Sequence, residues 1–139
     1  MERGVSKKSG SAIHYDESAW PFVLITLPER GTSEDEFLEN LRRMDEYATR
    51  GDAFGFVIDA RSAPDPDANR RRAIAEYLDE CQRRHGNTFL GTAIVTTSST
   101  GRAVHKAILW LRQRRKPLIA VATPEDGLAQ LRRLVKKQA

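Results

Sequence analysis

Short apolar runs alternate with longer stretches of helical patterning along the chain. The first two runs are Ala12-Ile13-His14-Tyr15 and Trp20-Pro21-Phe22-Val23-Leu24-Ile25-Thr26-Leu27, the second stopping at Pro28. Both are rich in β-branched and aromatic residues, and the polar Asp16-Glu17-Ser18 lies between them. That pattern predicts two strands joined by a tight turn. Ser33-Glu34-Asp35-Glu36 then has the form of a capping box, in which Ser33 and Glu36 each satisfy the other's backbone amide. Phe37, Leu41, Met44 and Ala48, with Leu38 beside them, follow at helical spacing. Gly51 is placed to end that helix as a C′ residue.

Phe54-Gly55-Phe56-Val57-Ile58-Asp59 is too short for a core helix and predicts a buried strand. A second helix is expected to start with Asp65 as N-cap and Pro66 at the first helical position. Its apolar stripe would be Ile74, Tyr77, Leu78 and Cys81, ending at Gly86. Leu90 to Thr96 predicts a strand. Ser99 or Thr100 would cap a further helix with Val104, Ala107, Ile108 and Leu111 inward. Pro117 precedes a strand over Leu118–Val121. Thr123-Pro124-Glu125-Asp126 opens a last helix with Leu128, Leu131 and Leu134 inward.

The expected order is β-β-α-β-α-β-α-β-α. Alternating strands and helices imply crossovers and a mostly parallel sheet. The first two strands are too close for a crossover and must form a hairpin. The fold class is therefore α/β, with a mixed sheet of about five strands, an antiparallel N-terminal edge strand and helices packed on the sheet.

At 139 residues the chain has the length of one domain. Residues 1–10 are rich in Ser, Lys and Gly and read as a tail, leaving 11–139 as the domain. No apolar run approaches the ~18 residues of a membrane helix. The start at Met1 lacks a secretory apolar segment, so a cytoplasmic, soluble protein without a membrane span is expected. One cysteine forms no internal disulfide, and the three histidines have no metal-ligand spacing, so neither a metal nor a cofactor is expected.

Charge changes the picture more than composition does. The first 100 residues are acidic on balance, whereas residues 101–139 hold 10 Lys/Arg against 2 Asp/Glu. An acidic partner would suit the basic third. So would a solvated helix: Arg112-Gln113-Arg114-Arg115-Lys116 falls where a helix ends, and positive charge there complements the helix dipole.

Several joints of this pattern stand out: Trp20-Pro21, Val57-Ile58-Asp59-Ala60-Arg61, Arg70-Arg71, Ala93-Ile94-Val95, Ala107-Ile108-Leu109-Trp110-Leu111 and Thr123-Pro124-Glu125-Asp126-Gly127-Leu128. With them the chain resembles the STAS-like superfamily, in particular the SpoIIAA-like, SEC14-related small bacterial proteins, over about residues 12–135. The resemblance implies a non-enzymatic domain that binds a protein, or sometimes a nucleotide or lipid. It also implies a phosphorylatable serine after the third strand. Here that turn is Asp59-Ala60-Arg61-Ser62-Ala63-Pro64, without the family's double serine and glycine.

Two stretches could carry binding chemistry. Asp59, Arg61 and Ser62 follow a central strand at the carboxyl edge, where α/β sheets bind ligands. Equally, Asp59 and Asp65 can cap turns while Arg61 pairs with one of them. Ser98, Ser99, Thr100, Gly101 and Arg102 open a predicted helix, an arrangement able to hold a phosphate or carboxylate or simply to cap the helix. Arg70, Arg71 and Arg72 can pair with Asp65 and Asp67, or one of them can face the crevice. Cys81 reads as a buried small hydrophobe, and His14, His85 and His105 are scattered. Trp110 lies at the edge of its helix stripe, either packed or exposed as an interface anchor.

No catalytic constellation emerges, so the expected function is a non-enzymatic protein-interaction or signalling module. It would take a partner protein or an acidic group at the carboxyl-edge crevice. The alternative is a small anion- or nucleotide-binding protein using Ser98–Arg102. Nucleic acid is disfavoured because basic and aromatic residues do not interleave. A homodimer stays open.

Overall fold

The computed structural model describes residues 13–97 and 116–138. The strands are β1 (His14–Asp16), β2 (Phe22–Thr26), β3 (Phe54–Asp59), β4 (Phe89–Val95) and β5 (Leu118–Val121). The helices are α1 (Glu34–Ala48), α2 (Ala68–His85) and α3 (Pro124–Gln138). The expected 1–10 tail, the helix following Ser99 or Thr100, His105 and Trp110 lie outside the described residues.

The five strands form one sheet in sequential order, β1-β2-β3-β4-β5. β1 is antiparallel to β2, with Tyr15 opposite Ile25, and the other pairs are parallel. This is the mixed sheet that the spacing of the runs predicts. Successive crossovers advance in one direction, which puts α1 and α2 on the same face. That face packs Met44 and Tyr47 of α1 and Leu78 and Cys81 of α2 on Val23, Ile25, Phe54 and Phe56. The other face carries α3, whose Leu131 packs on Phe22, Val57, Ala93, Val95 and Val121. α3 lies very close to the sheet at Gly127, where a Cβ would sit 3.1 Å from Ala93 Cβ.

The helix starts follow cap chemistry. Ser33 Oγ accepts from the Glu36 amide at 3.1 Å, and the Ser33 amide donates to Glu36 Oε1 at 2.9 Å, completing the capping box. The α1 C-cap is Thr49, and the chain turns with positive φ at Gly51, one residue beyond the C′ position expected for it. α2 begins two residues later than Asp65-Pro66 suggests. Asp67 is its N-cap, accepting from the Arg70 amide at 2.9 Å. Both aspartates satisfy the local rule, and the loop after β3 decides between them. Thr123 Oγ1 caps α3 by accepting from the Asp126 amide at 3.1 Å.

Two apolar stripes are rotated from their expected positions. In α1 the buried set is Asn40, Met44, Tyr47 and Ala48, while Phe37 and Leu41 are half-buried and Leu38 is 51% exposed. In α3, Val135 joins the cluster around Leu131, and Leu134 does not.

Glu36 also links the start of α1 to the preceding loop. Arg30 grips both of its carboxylate oxygens, at 3.0 and 2.7 Å. That guanidinium and the Ser33 amide hold the Glu36 carboxyl down to about 2, from an ordinary 4.5. A depressed folded-state value stabilises the protein above 4.5, and the contribution is lost as pH falls from 4.5 toward 2. Urea midpoints should therefore drop across that acid range, and Glu36→Gln should flatten part of the drop. An unchanged acid slope in the variant would refute the assignment.

Candidate functional site

The sheet face under α1 and α2 is filled at its amino end and hollow at its carboxyl end. At the amino end Phe54 packs on Phe56 and Phe89 with ring centroids 5.6 and 5.3 Å apart. His85 meets Phe54 edge-on at 6.0 Å. At the carboxyl end a cavity of about 370 Å³ opens between the helices. Its floor is Leu27, Ile58, Ala60, Ile94 and Thr96, from the ends of β2, β3 and β4. Its walls are Phe37, Asn40, Leu41 and Met44 of α1 and Arg70, Ile74, Tyr77 and Leu78 of α2. Its rim is Arg30-Gly31-Thr32 and Ala63-Pro64-Asp65-Pro66-Asp67.

This edge is the one that open α/β folds use, but no reversal of strand order creates the opening. The parallel strands run in sequence, so the space comes from the gap between α1 and α2. That gap also explains the rotated stripe of α1. Phe37 and Leu41 face the hollow and stay half-buried, leaving Met44 and Tyr47 to fill the core.

Polar groups are few and placed at particular heights. Arg70 spans the mouth. Its Nη1 donates to Thr32 Oγ1 at 2.9 Å and its Nη2 to the Thr32 carbonyl at 3.0 Å. Its guanidinium lies 4.9 Å over the Phe37 ring, and its nearest acid is Glu34, at 3.6 Å. On the α1 wall, Tyr15 donates to Asn40 Oδ1 at 2.5 Å, and Asn40 Nδ2 reaches Met44 Sδ at 3.6 Å. Burial pushes the Tyr15 phenol up to about 12. On the α2 wall the Tyr77 hydroxyl is buried without a nitrogen or oxygen partner. Its neighbour is the Cys81 thiol, and burial raises both phenol and thiol, the thiol to about 11. Cys81 is thus a protonated, buried side chain, the opposite of an activated nucleophile.

Strand alternation separates residues that the sequence placed in one crevice. Ile58 and Ala60 face the cavity, while Asp59 shares the α3 face with Val57. There Arg61 closes back on Asp59, with Nε to Oδ1 at 3.0 Å and Nη2 to Oδ2 at 2.8 Å. The Arg61 amide adds a bond to Oδ1 at 3.1 Å. That guanidinium first, and then the amide, hold the Asp59 carboxyl below its usual range against the opposing effect of burial. Asp59 and Arg61 therefore engage each other at the start of the loop, and Ser62 is exposed beside them. Ser98, Ser99, Thr100, Gly101 and Arg102 lie outside the described residues. Of the three consecutive arginines, Arg70 lines the cavity. Arg71 turns back to the Pro66 carbonyl at 3.0 Å.

Sequence reasoning missed the cavity because Phe37, Leu41, Ile74 and Tyr77 read as ordinary core. It also missed Arg30, Thr32 and Asn40. The one available signal was the choice left open among Arg70, Arg71 and Arg72.

Among the described residues, no helix is long and apolar enough to cross a membrane, and no group of three His, Cys, Asp or Glu could hold a metal ion. No family model, no curated protein and no solved structure matches this chain.

Proposed function

We propose that this chain is a binding module with no catalytic chemistry of its own, and that its ligand enters the carboxyl-edge cavity between α1 and α2. The observation that carries the reading is the half-buried apolar wall of Phe37, Leu41, Ile74 and Tyr77 around a space of about 370 Å³. That volume lies within the ~300–1,000 Å³ range of small-molecule sites, which combine apolar walls with a few fixed polar groups. Of the two acids that line the cavity, Asp67 caps α2 and Asp65 stands exposed on the lip, while nearby Glu36 is held by Arg30 and Ser33. Asp67 and Glu36 would each have to be released from that work to act as a general acid or base.

A STAS-like signalling role belongs to the same proposal. The antiparallel edge strand on an otherwise parallel sheet fits it. A partner protein would read the rim loops, whose spacing a ligand between them would set.

The test is a plugged cavity. Ile74→Trp fills the space from α2 and Ala63→Phe fills it from the rim. Both should melt cooperatively near wild type. Each should lower affinity for the uncharged probe 2-naphthamide by about tenfold or more, measured by calorimetry or by naphthyl fluorescence. Folded plugged variants that bind the probe as wild type does would place the site elsewhere.

A further inference from the structure

The walls of the cavity are apolar, yet a guanidinium stands at its mouth, and how the surrounding charges are neutralised tells what that cation is for. Arg30 is saturated by Glu36, both oxygens lying within 3.0 Å. Arg61 is saturated by Asp59. Arg70 differs from both. Its Nη1 and Nη2 donate to the neutral oxygens of Thr32, and its acid, Glu34, lies at 3.6 Å with a side chain 71% exposed. The Arg70 side chain is itself only 23% exposed. A half-buried cation facing mainly neutral acceptors keeps most of its electrostatic demand. Its rigid fork, held over the Phe37 ring and tied to Thr32, is already in position.

We infer that Arg70 is the head-group anchor of this site, and that the ligand is a small monocarboxylate with a compact apolar body. This rests on the cavity reading above and specifies its ligand class. The carboxylate meets Arg70 at the mouth while the body lies along Phe37, Leu41, Ile74 and Ile58. A guanidinium–carboxylate pair is charge-assisted and directional, and the apolar walls keep water from screening it. The rim argues against a dianion. Asp65 and Asp67 stand on the same lip and Glu34 is close by, while the other rim cation, Arg30, is paired with Glu36, so a second negative charge meets three carboxylates with Arg70 as the cation left to face it.

Four compounds share one body and differ in the head: 2-naphthoate, uncharged 2-naphthamide, cationic 2-naphthylmethylammonium and dianionic 2-naphthyl phosphate. Calorimetry on the full chain should rank the carboxylate first, about tenfold tighter than the amide. The phosphate ester and the ammonium should both be weaker than the carboxylate. Arg70→Met should erase the preference of carboxylate over amide while leaving amide affinity within about threefold of wild type. Arg70→Lys, which keeps the charge without the fork, should retain part of the preference. The wild-type ranking needs no variant, so a misfolded Arg70→Met would not remove the test.

Equal binding of carboxylate and amide to wild type would overturn the anchor and leave the cavity reading intact. A preference that survives in folded Arg70→Met would take the anchor away from Arg70. A phosphate ester that binds at least as tightly as the carboxylate would overturn the monocarboxylate class. If no naphthyl compound binds wild type and the plugged variants change nothing, the cavity reading itself fails.

Discussion

Val95→Asp should leave no cooperatively folded protein. Val95 is fully buried on the α3 face, and its cross-strand neighbour in β3 is Asp59. The new carboxylate would stand beside an existing one, whose oxygens Arg61 already occupies. An ionised side chain buried without a partner costs several kcal/mol at least, against a total stability of about 5–15 kcal/mol. Circular dichroism melts should show no sigmoidal transition. The same change at Ile58 should behave differently, although both positions read as central and buried in the sequence. Ile58 lines the cavity and is half-buried, so an aspartate there reaches water through the mouth. Ile58→Asp should keep a cooperative but lowered melt. If both variants melt alike, the hollow at the carboxyl edge is not there.

That contrast marks where sequence reading reaches its limit. Strand runs, the hairpin, the capping box at Ser33 and the order of elements depend on local chemistry, and local chemistry is written in consecutive residues. The choice between Asp65 and Asp67 as the α2 cap depends on how the loop after β3 leaves the sheet, which two equally good capping residues do not reveal. The rotation of α1 is a tertiary effect. Phe37 and Leu41 have the right spacing for core, but nothing opposite them fills the space, so Met44 and Tyr47 take the interior. An apolar residue beside a cavity and one inside a core are the same letter.

The candidate site was legible in part. The carboxyl edge is where the sequence reading puts a ligand, and an arginine of the Arg70–Arg72 run facing a crevice there is one of the two alternatives it leaves open. Asp59 and Arg61 sit one position out of phase with the cavity, because neighbours on a strand point to opposite faces. The pairing of Arg61 with Asp59 was one of the two readings their spacing allowed, and the structure has it.

The second large effect is on the face that carries the cavity, toward its filled amino end. Phe56→Ala should cost about 3–5 kcal/mol, the range for truncating a buried aromatic. Phe56 is fully buried, 5.6 Å from Phe54 and 6.3 Å from Phe89 between ring centroids. All three belong to β3 and β4 at the centre of the sheet, so no loop can collapse into the void. Leu41→Ala makes the informative comparison. It also removes a large apolar side chain, but Leu41 is half-buried and already adjoins open space. Its cost should stay near the transfer value of the lost atoms, about 1–2 kcal/mol, with little added for a new cavity. Urea unfolding with unchanged slopes should give midpoints well below wild type for Phe56→Ala and only slightly below it for Leu41→Ala. Equal losses would mean that α1 packs tightly at both ends. The expected inequality would mean that the aromatic amino end carries the stability, and that the walls of the carboxyl end can change to suit a ligand without unfolding the domain.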